Sequence, residues 1–243
     1  MPDSDKTTSA DSLRAAIAWA KAYPFSQPDG SFIIDGAGLR PLPPGPLSPG
    51  LLKGRVAVIA SGSNASPERL RQKFSVGEEA IIVTGAWLDD YAIAHSAHLS
   101  SYASVPATLH HLPGQRSRIF INWLTPSQLK AMHETEALGS HYGFYRLDEL
   151  ALSCDHDSGL RSAHVYWSLP GTLHAGGRPA LAGEWDQPAL LALAQRLLLP
   201  DATTTLDAFI ALLLRDPARR QALSRALGKH GVFAPPPRAE RLI

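Results

Sequence analysis

Five short apolar runs between residues 55 and 168 restrict this fold more than any other feature of the chain. They are Arg55–Ala60, Ala80–Thr84, Arg118–Leu124, Tyr142–Leu147 and Ala163–Ser168. Each is too short for a buried helix and rich in β-branched or aromatic residues, so each reads as a strand. A sixth, irregular strand is expected across His95–Thr108, with Leu112-Pro-Gly114 as a following turn. Two helices are expected within this block, one from Ser66 and one from Thr125, and the other helices gather at the two ends. Ser9–Ala22 is amphipathic; beyond Glu184-Trp185, Pro188–Leu198, Thr204–Leu214 and Pro217–Leu227 follow one another, with Gly228 as a cap on the last. Strands in the middle and helices at both ends predict an α+β fold. The expected form is a mixed or antiparallel curved sheet or small barrel with flanking helices.

Composition divides the chain further. Residues 1–8 are polar and predicted to be disordered, and no apolar leader is visible there. From Tyr23 to Gly54 proline and glycine dominate, most strongly in Pro41–Gly50, which predicts an extended arm and not part of a sheet. The domains expected are therefore an N-terminal helix and Pro-rich arm over 1–54, a core over 55–170 and a C-terminal helical extension over 171–243. A net charge of +1 argues against nucleic acid as a main partner, which needs concentrated basic surface. The longest apolar run, Ala208–Leu214, is too short to span a bilayer, so no membrane is expected. A single cysteine, Cys154, rules out an internal disulfide framework and fits a cytoplasmic setting; Ser153-Cys-Asp-His-Asp157 reads as a polar loop.

Two stretches carry chemistry. After the first apolar run, Ser61-Gly-Ser-Asn64-Ala65 leads into Ser66-Pro67, an N-cap followed by proline at the first helical position. A strand, a small-residue loop and a helix start present backbone N–H groups suited to an anion. Further on, Thr125-Pro-Ser-Gln128 has the form of a capping box. Leu129, Met132, His133 and Glu136 then recur on one helical face, Glu136 within about 20° of Leu129 at 100° per residue. Glu134 points about 140° away, to the wet side. An acid on the core face near a helix C-terminus is expected to be harder to ionise, as a general base or acid working near neutral pH requires. The plainer alternative is a core-edge Glu paired with a cationic side chain.

The ordered set resembles the gamma-glutamylcyclotransferase-like family. That family has a Tyr-Gly-Ser-Asn loop, an Ala-Thr-Ile…Pro-Gly segment, a strand, a helix with Leu-Asp-x-x-Glu-Gly holding the catalytic Glu, and a Tyr shortly after. Here those positions read Ser61–Asn64, Ala107-Thr-Leu109…Pro113-Gly114, Met132-His-Glu-Thr-Glu-Ala137 and Tyr142, covering about Val56 to Tyr145. Ser61 replaces the loop Tyr, His133 the Asp, and Ala137 the Gly after the Glu. The resemblance implies that Glu136 is a general acid/base, and that the backbone of Gly62 to Ala65 binds substrate. Ser61, Gly62, Ser63, Asn64, Ala65, Tyr142, Tyr102 and His133 are the substrate-binding candidates. It implies intramolecular attack of a small-molecule gamma-glutamyl amide to give 5-oxoproline and a free amine, with no cofactor, metal or covalent intermediate. Oligomeric state stays open, a homodimer included.

Other candidates are weaker. His95, His98, His110, His111, His133 and His141 lack a ligand spacing such as H-E-x-x-H, and Ser63, Ser100 and Ser101 lack a nucleophile-elbow context. Two other functions stay open: a hydrolase that uses Glu136 to activate water, and a non-catalytic binding module on the same fold.

Overall fold

The computed structural model describes residues 4–43, 45–48, 50–74, 79–156 and 159–243. The expectations for residues 1–3, 44 and 49 lie outside the described residues. In chain order, α1 (Ser4–Lys21) precedes β1 (Phe32–Asp35) and β2 (Gly38–Pro41). Next come β3 (Val56–Ala60), a 3-10 turn at Ser63–Ala65 and α2 (Pro67–Lys73). Two long strands, β4 (Ile81–His95) and β5 (Ala107–Leu124), lead into α3 (Pro126–Thr135). Strands β6 (Tyr142–Leu147), β7 (Leu152–Cys154), β8 (Ala163–Ser168), β9 (Thr172–Ala175) and β10 (Arg178–Pro179) follow. Helices α4 (Gln187–Leu198), α5 (Leu206–Arg215) and α6 (Pro217–Leu227) and strands β11 (Gly231–Val232) and β12 (Ala239–Arg241) complete the chain.

The fold is mixed α+β, with a large mixed sheet and six α-helices among the described residues. These elements form two compact units built from non-contiguous pieces. The sheet unit comprises Phe25–Ala94, Ala107–Leu169 and Phe233–Ile243. Its strands lie in the order β12-β6-β8-β3-β5-β4-β1-β2, with β7 also on β4. Where the register is described, β3–β8 is parallel and the other pairs are antiparallel. Alternation explains why its strands read as continuous apolar runs. Ile33, Ile59, Ile82 and Ile121 enter one core, whereas their neighbours Phe32, Val58, Ile81 and Phe120 enter another with Leu70 of α2 and Met132 of α3. Successive side chains point to opposite faces, and both faces are buried.

The helical unit comprises the chain up to Pro24, His95–Pro106 and Pro170–Val232. Its core is built on Leu190, Leu191, Phe209, Ile210, Leu213 and Leu227, and it carries a small sheet in the order β10-β9-β11. Side-chain caps start all three C-terminal helices: Asp186 accepts from the Ala189 N–H, Thr205 from Ala208 and Asp216 from Arg219. Burial pushes the His95 imidazole from its ordinary 6.5 down to about 4, against a smaller opposing contribution from the Val105 backbone. The lowered folded value means that the unfolded chain takes up this proton first. The stability held by neutral His95 is thus complete above pH 6.5 and lost as the pH falls toward 4, by about 3 kcal/mol. Urea titrations at pH 7.5 and pH 5 check this: His95→Leu is expected to lose less stability between the two than the parent chain does.

Several expectations need correction. The arm is not outside the sheet. Phe32, Ile33 and Ile34 form an edge hairpin with Gly38–Pro41, turned where Asp35 accepts from the Ala37 N–H at 2.9 Å and Gly38 adopts φ +105°. Three consecutive apolar residues outweigh the proline-rich composition around them. Likewise β12 follows the Pro-rich segment 234–238 and pairs with β6. The helix expected from Ser9 already begins at Ser4, so residues 4–8 are helical.

The expected turn at Leu112-Pro-Gly114 lies inside β5, and β4 runs on past Thr84 to His95. Gly114 takes φ +81° there and donates its N–H to Asp90 Oδ1 at 2.8 Å, with Asp90 itself at φ +64°. Pro-Gly therefore marks an irregularity in a long strand and not its end. Ser96 makes an isolated bridge to Thr172, and residues 97–106 form loop and turn instead of a strand. Cys154 ends β7 opposite Ala86 instead of lying in a loop. Gly228 does cap α6 as expected; its backbone is right-handed, φ −56°, and it opens a 3-10 turn.

Candidate functional site

The antiparallel pairing of β3 and β5 explains how residues 72 apart meet. Ala60 lies opposite Phe120 and Val56 opposite Leu124, so the chain leaves β5 beside the start of β3. The capping box forms as the sequence indicates: the Thr125 side chain accepts from the Gln128 N–H, and Gln128 Oε1 from the Thr125 N–H. Ten helical residues then rise about 15 Å, nearly the length of a five-residue strand. Glu136, the C-cap of α3, arrives at the far end of β3, where the Ser63–Ala65 turn begins.

There Asn64 Nδ2 donates to Glu136 Oε1 at 3.0 Å. Lys73, in the last turn of α2, places its ammonium on the same oxygen and 3.4 Å from Met132 Sδ. The pair is largely buried, with side-chain exposures of 6% for Lys73 and 11% for Glu136. A carboxylate at a helix C-terminus faces the negative end of the macrodipole, and the Lys73 charge offsets that penalty. Oε1 therefore takes two donors, while Oε2 takes none among the described residues. Asn122 of β5 anchors the turn from below, donating Nδ2 to the Asn64 carbonyl at 3.0 Å.

An aromatic group borders the acid. Tyr166 OH lies 2.8 Å from His133 Nδ1, and the His133 ring meets Phe144 edge-on at 4.7 Å. Burial, then the Glu136 charge, pushes the Tyr166 phenol well above its usual range, so the hydroxyl keeps its proton. Burial also lowers His133, against the raising effect of Glu136. A phenol O–H donating to Nδ1 places the proton of neutral His133 on Nε2.

Of the nine residues singled out in the sequence, Asn64, His133 and Glu136 belong to this cluster. Ser61, Gly62 and Ser63 lie in the adjoining loop. Ala65 is corrected as a backbone donor: its N–H bonds the Gly62 carbonyl at 3.0 Å within the 3-10 turn. Tyr142 is buried on β6 and donates its hydroxyl to the Ala107 carbonyl at 3.1 Å. Tyr102 lies in the helical unit, where it stacks on Tyr23. Sequence reasoning passed over Lys73, Asn122 and Tyr166. Lys73 follows buried Leu70 by one helical turn, and Asn122 is the polar residue within an apolar run; both were visible signals. Among the described residues no group of three or more His, Cys, Asp or Glu side chains is placed to hold a metal ion, and no helix is long and apolar enough to cross a membrane.

No protein-family profile matches the sequence, and no curated protein matches it.

Ala137 departs from the resembled pattern, which has glycine there, yet its backbone is left-handed at φ +47°. Such a backbone costs an L-residue about 1 kcal/mol, a strain glycine avoids. Ala137→Gly is expected to keep or raise the stability of the sheet unit, by up to about 1 kcal/mol in urea unfolding. A clear loss would show that the turn does not hold this conformation.

Proposed function

We propose that the sheet unit has a gamma-glutamylcyclotransferase-like fold, a curved sheet or barrel, and that the protein is a cytoplasmic enzyme of that type. In this reading it releases an amine from a small gamma-glutamyl amide and forms 5-oxoproline, with Glu136 as general acid/base. The observation that carries the reading is the meeting of Asn64 with Glu136. The Gly-Ser-Asn loop and the acid were matched to the family only by their order, yet they share a hydrogen bond of 3.0 Å across 72 residues. The Tyr142–Ala107 bond joins two further pieces of the same ordered set.

The chemistry follows from the carboxylate's two oxygens. In the free protein Oε1 is held by Asn64 and Lys73, and Oε2 is the atom available to a proton. Oε2 removes a proton from the substrate's α-amine, and the amine nitrogen attacks the gamma-carbonyl to close the lactam. The departing amine then takes the proton from Glu136 as the C–N bond breaks. Holding nucleophile and carbonyl together contributes most, because effective molarities for such closures are large. A positioned acid/base adds about 10²- to 10⁴-fold.

A second reading has its own support. The buried Lys73–Glu136 pair has the form of a structural strut between α2 and α3, as a binding module on this fold would have. Incubating the protein with a panel of gamma-glutamyl amides and measuring 5-oxoproline, glutamate and free amine separates the readings. Cyclisation gives 5-oxoproline and amine, hydrolysis gives glutamate and amine, and a binding module leaves every compound intact.

A further inference from the structure

The donors of Lys73 are poorly matched to their surroundings. One meets Glu136 Oε1, and another points at the Met132 sulfur, a weak acceptor. Around the turn that holds this carboxylate, Asn64 Oδ1, Ser66 Oγ just after the turn and Asn122 Oδ1, whose amide donates to the Asn64 carbonyl, are buried without a hydrogen-bond partner. Ser66 is 1% exposed and Asn122 is 0% exposed. Their placement is fixed from two sides, because Asn64 Nδ2 holds Glu136 and Asn122 Nδ2 holds the Asn64 carbonyl. Buried acceptors without donors are costly, and their grouping calls for a partner rich in N–H. One carboxylate and three neutral oxygens match a primary ammonium, which carries one positive charge and three donors.

We propose that Glu136, Asn64, Ser66 and Asn122 form a subsite for a primary ammonium group, and that Lys73 occupies the Glu136 carboxylate in the free protein and yields it to an incoming amine. The proposal rests on the function given above, where that group is the α-amine of the substrate. Lys73 is suited to the part. Its flexible four-carbon stem can withdraw without moving the backbone of α2, leaving the carboxylate and Asn64 in place.

Two measurements test this, and neither needs turnover. Lys73→Ala removes the atoms of n-propylamine and leaves Glu136 without its cation. Added n-propylammonium is expected to restore most of the lost melting temperature. Tetramethylammonium, which has the charge but no N–H, is expected to restore little. In the unmodified protein, calorimetry is expected to show a gamma-glutamyl amide binding at least about ten-fold more tightly than the glutaryl amide lacking the amine, the scale of one hydrogen bond to a charged group. Equal affinities for the two amides, or equal effects of the two cations, would overturn the proposal. Rescue and amine selectivity without 5-oxoproline formation would keep the subsite and remove the catalytic reading. Formation of 5-oxoproline with neither effect would do the reverse.

Discussion

Glu136→Gln is expected to lower 5-oxoproline formation by about 10²- to 10⁴-fold in protein that folds with a reduced melting temperature. The amide keeps the shape and an acceptor for Lys73 and Asn64 but loses the charge and the proton acceptor. The Asn64 contact does not require the charge, so the loop after β3 should hold its place. Circular dichroism and a melting curve establish the fold, and initial rates with a saturating gamma-glutamyl amide give the loss in kcat. The loss should appear mainly in kcat, since the acid/base acts on the reacting proton and not in binding the rest of the substrate. A variant with unchanged turnover would assign the chemistry to another residue.

The second large effect concerns stability. Lys73 and Glu136 are each largely buried, so removing one leaves the other as an uncompensated charge. Lys73→Met alone is expected to destabilise the sheet unit by about 3–5 kcal/mol, and Glu136→Leu alone by a similar amount. The double variant Lys73→Met/Glu136→Leu should recover most of the loss, because two apolar side chains of similar volume replace the pair. Urea unfolding of the four proteins gives the coupling directly. Additive losses in the double variant would mean that the two charges are solvated separately.

These two results address different links in the same chain of cause. β3, β6 and β8 were legible because each is a compact apolar run whose neighbours on both sides are buried. The capping box was legible because its chemistry is local: four residues, Thr125 to Gln128, contain both partners of each bond. The long pair β4 and β5 was not. Asp90 and Gly114 break the alternation within each strand, and the bond between them is long-range. The hairpin at 32–41 was hidden for the opposite reason, since prolines and glycines on both sides mask three buried residues.

The site divides in the same way. Glu136 and His133 stood out because a helical face can be counted along the sequence. Lys73 did not, because the cation that pairs with Glu136 comes from another helix, 63 residues earlier. The plainer expectation, an acid paired with a cation, therefore describes Glu136 in part. What it left out is the asymmetry of the carboxylate, with Oε1 held by Lys73 and Asn64 and Oε2 without a donor among the described residues. Tyr102, a candidate as one of several aromatic residues, lies in the helical unit and stacks there on Tyr23.

Turnover of a gamma-glutamyl amide in ¹⁸O-labelled water separates the proposed intramolecular closure assisted by Glu136 from attack by water. Equimolar amine and 5-oxoproline carrying no ¹⁸O are expected, since the lactam keeps the oxygen of the original carbonyl. Glutamate containing ¹⁸O, or a substrate left intact, would contradict intramolecular closure.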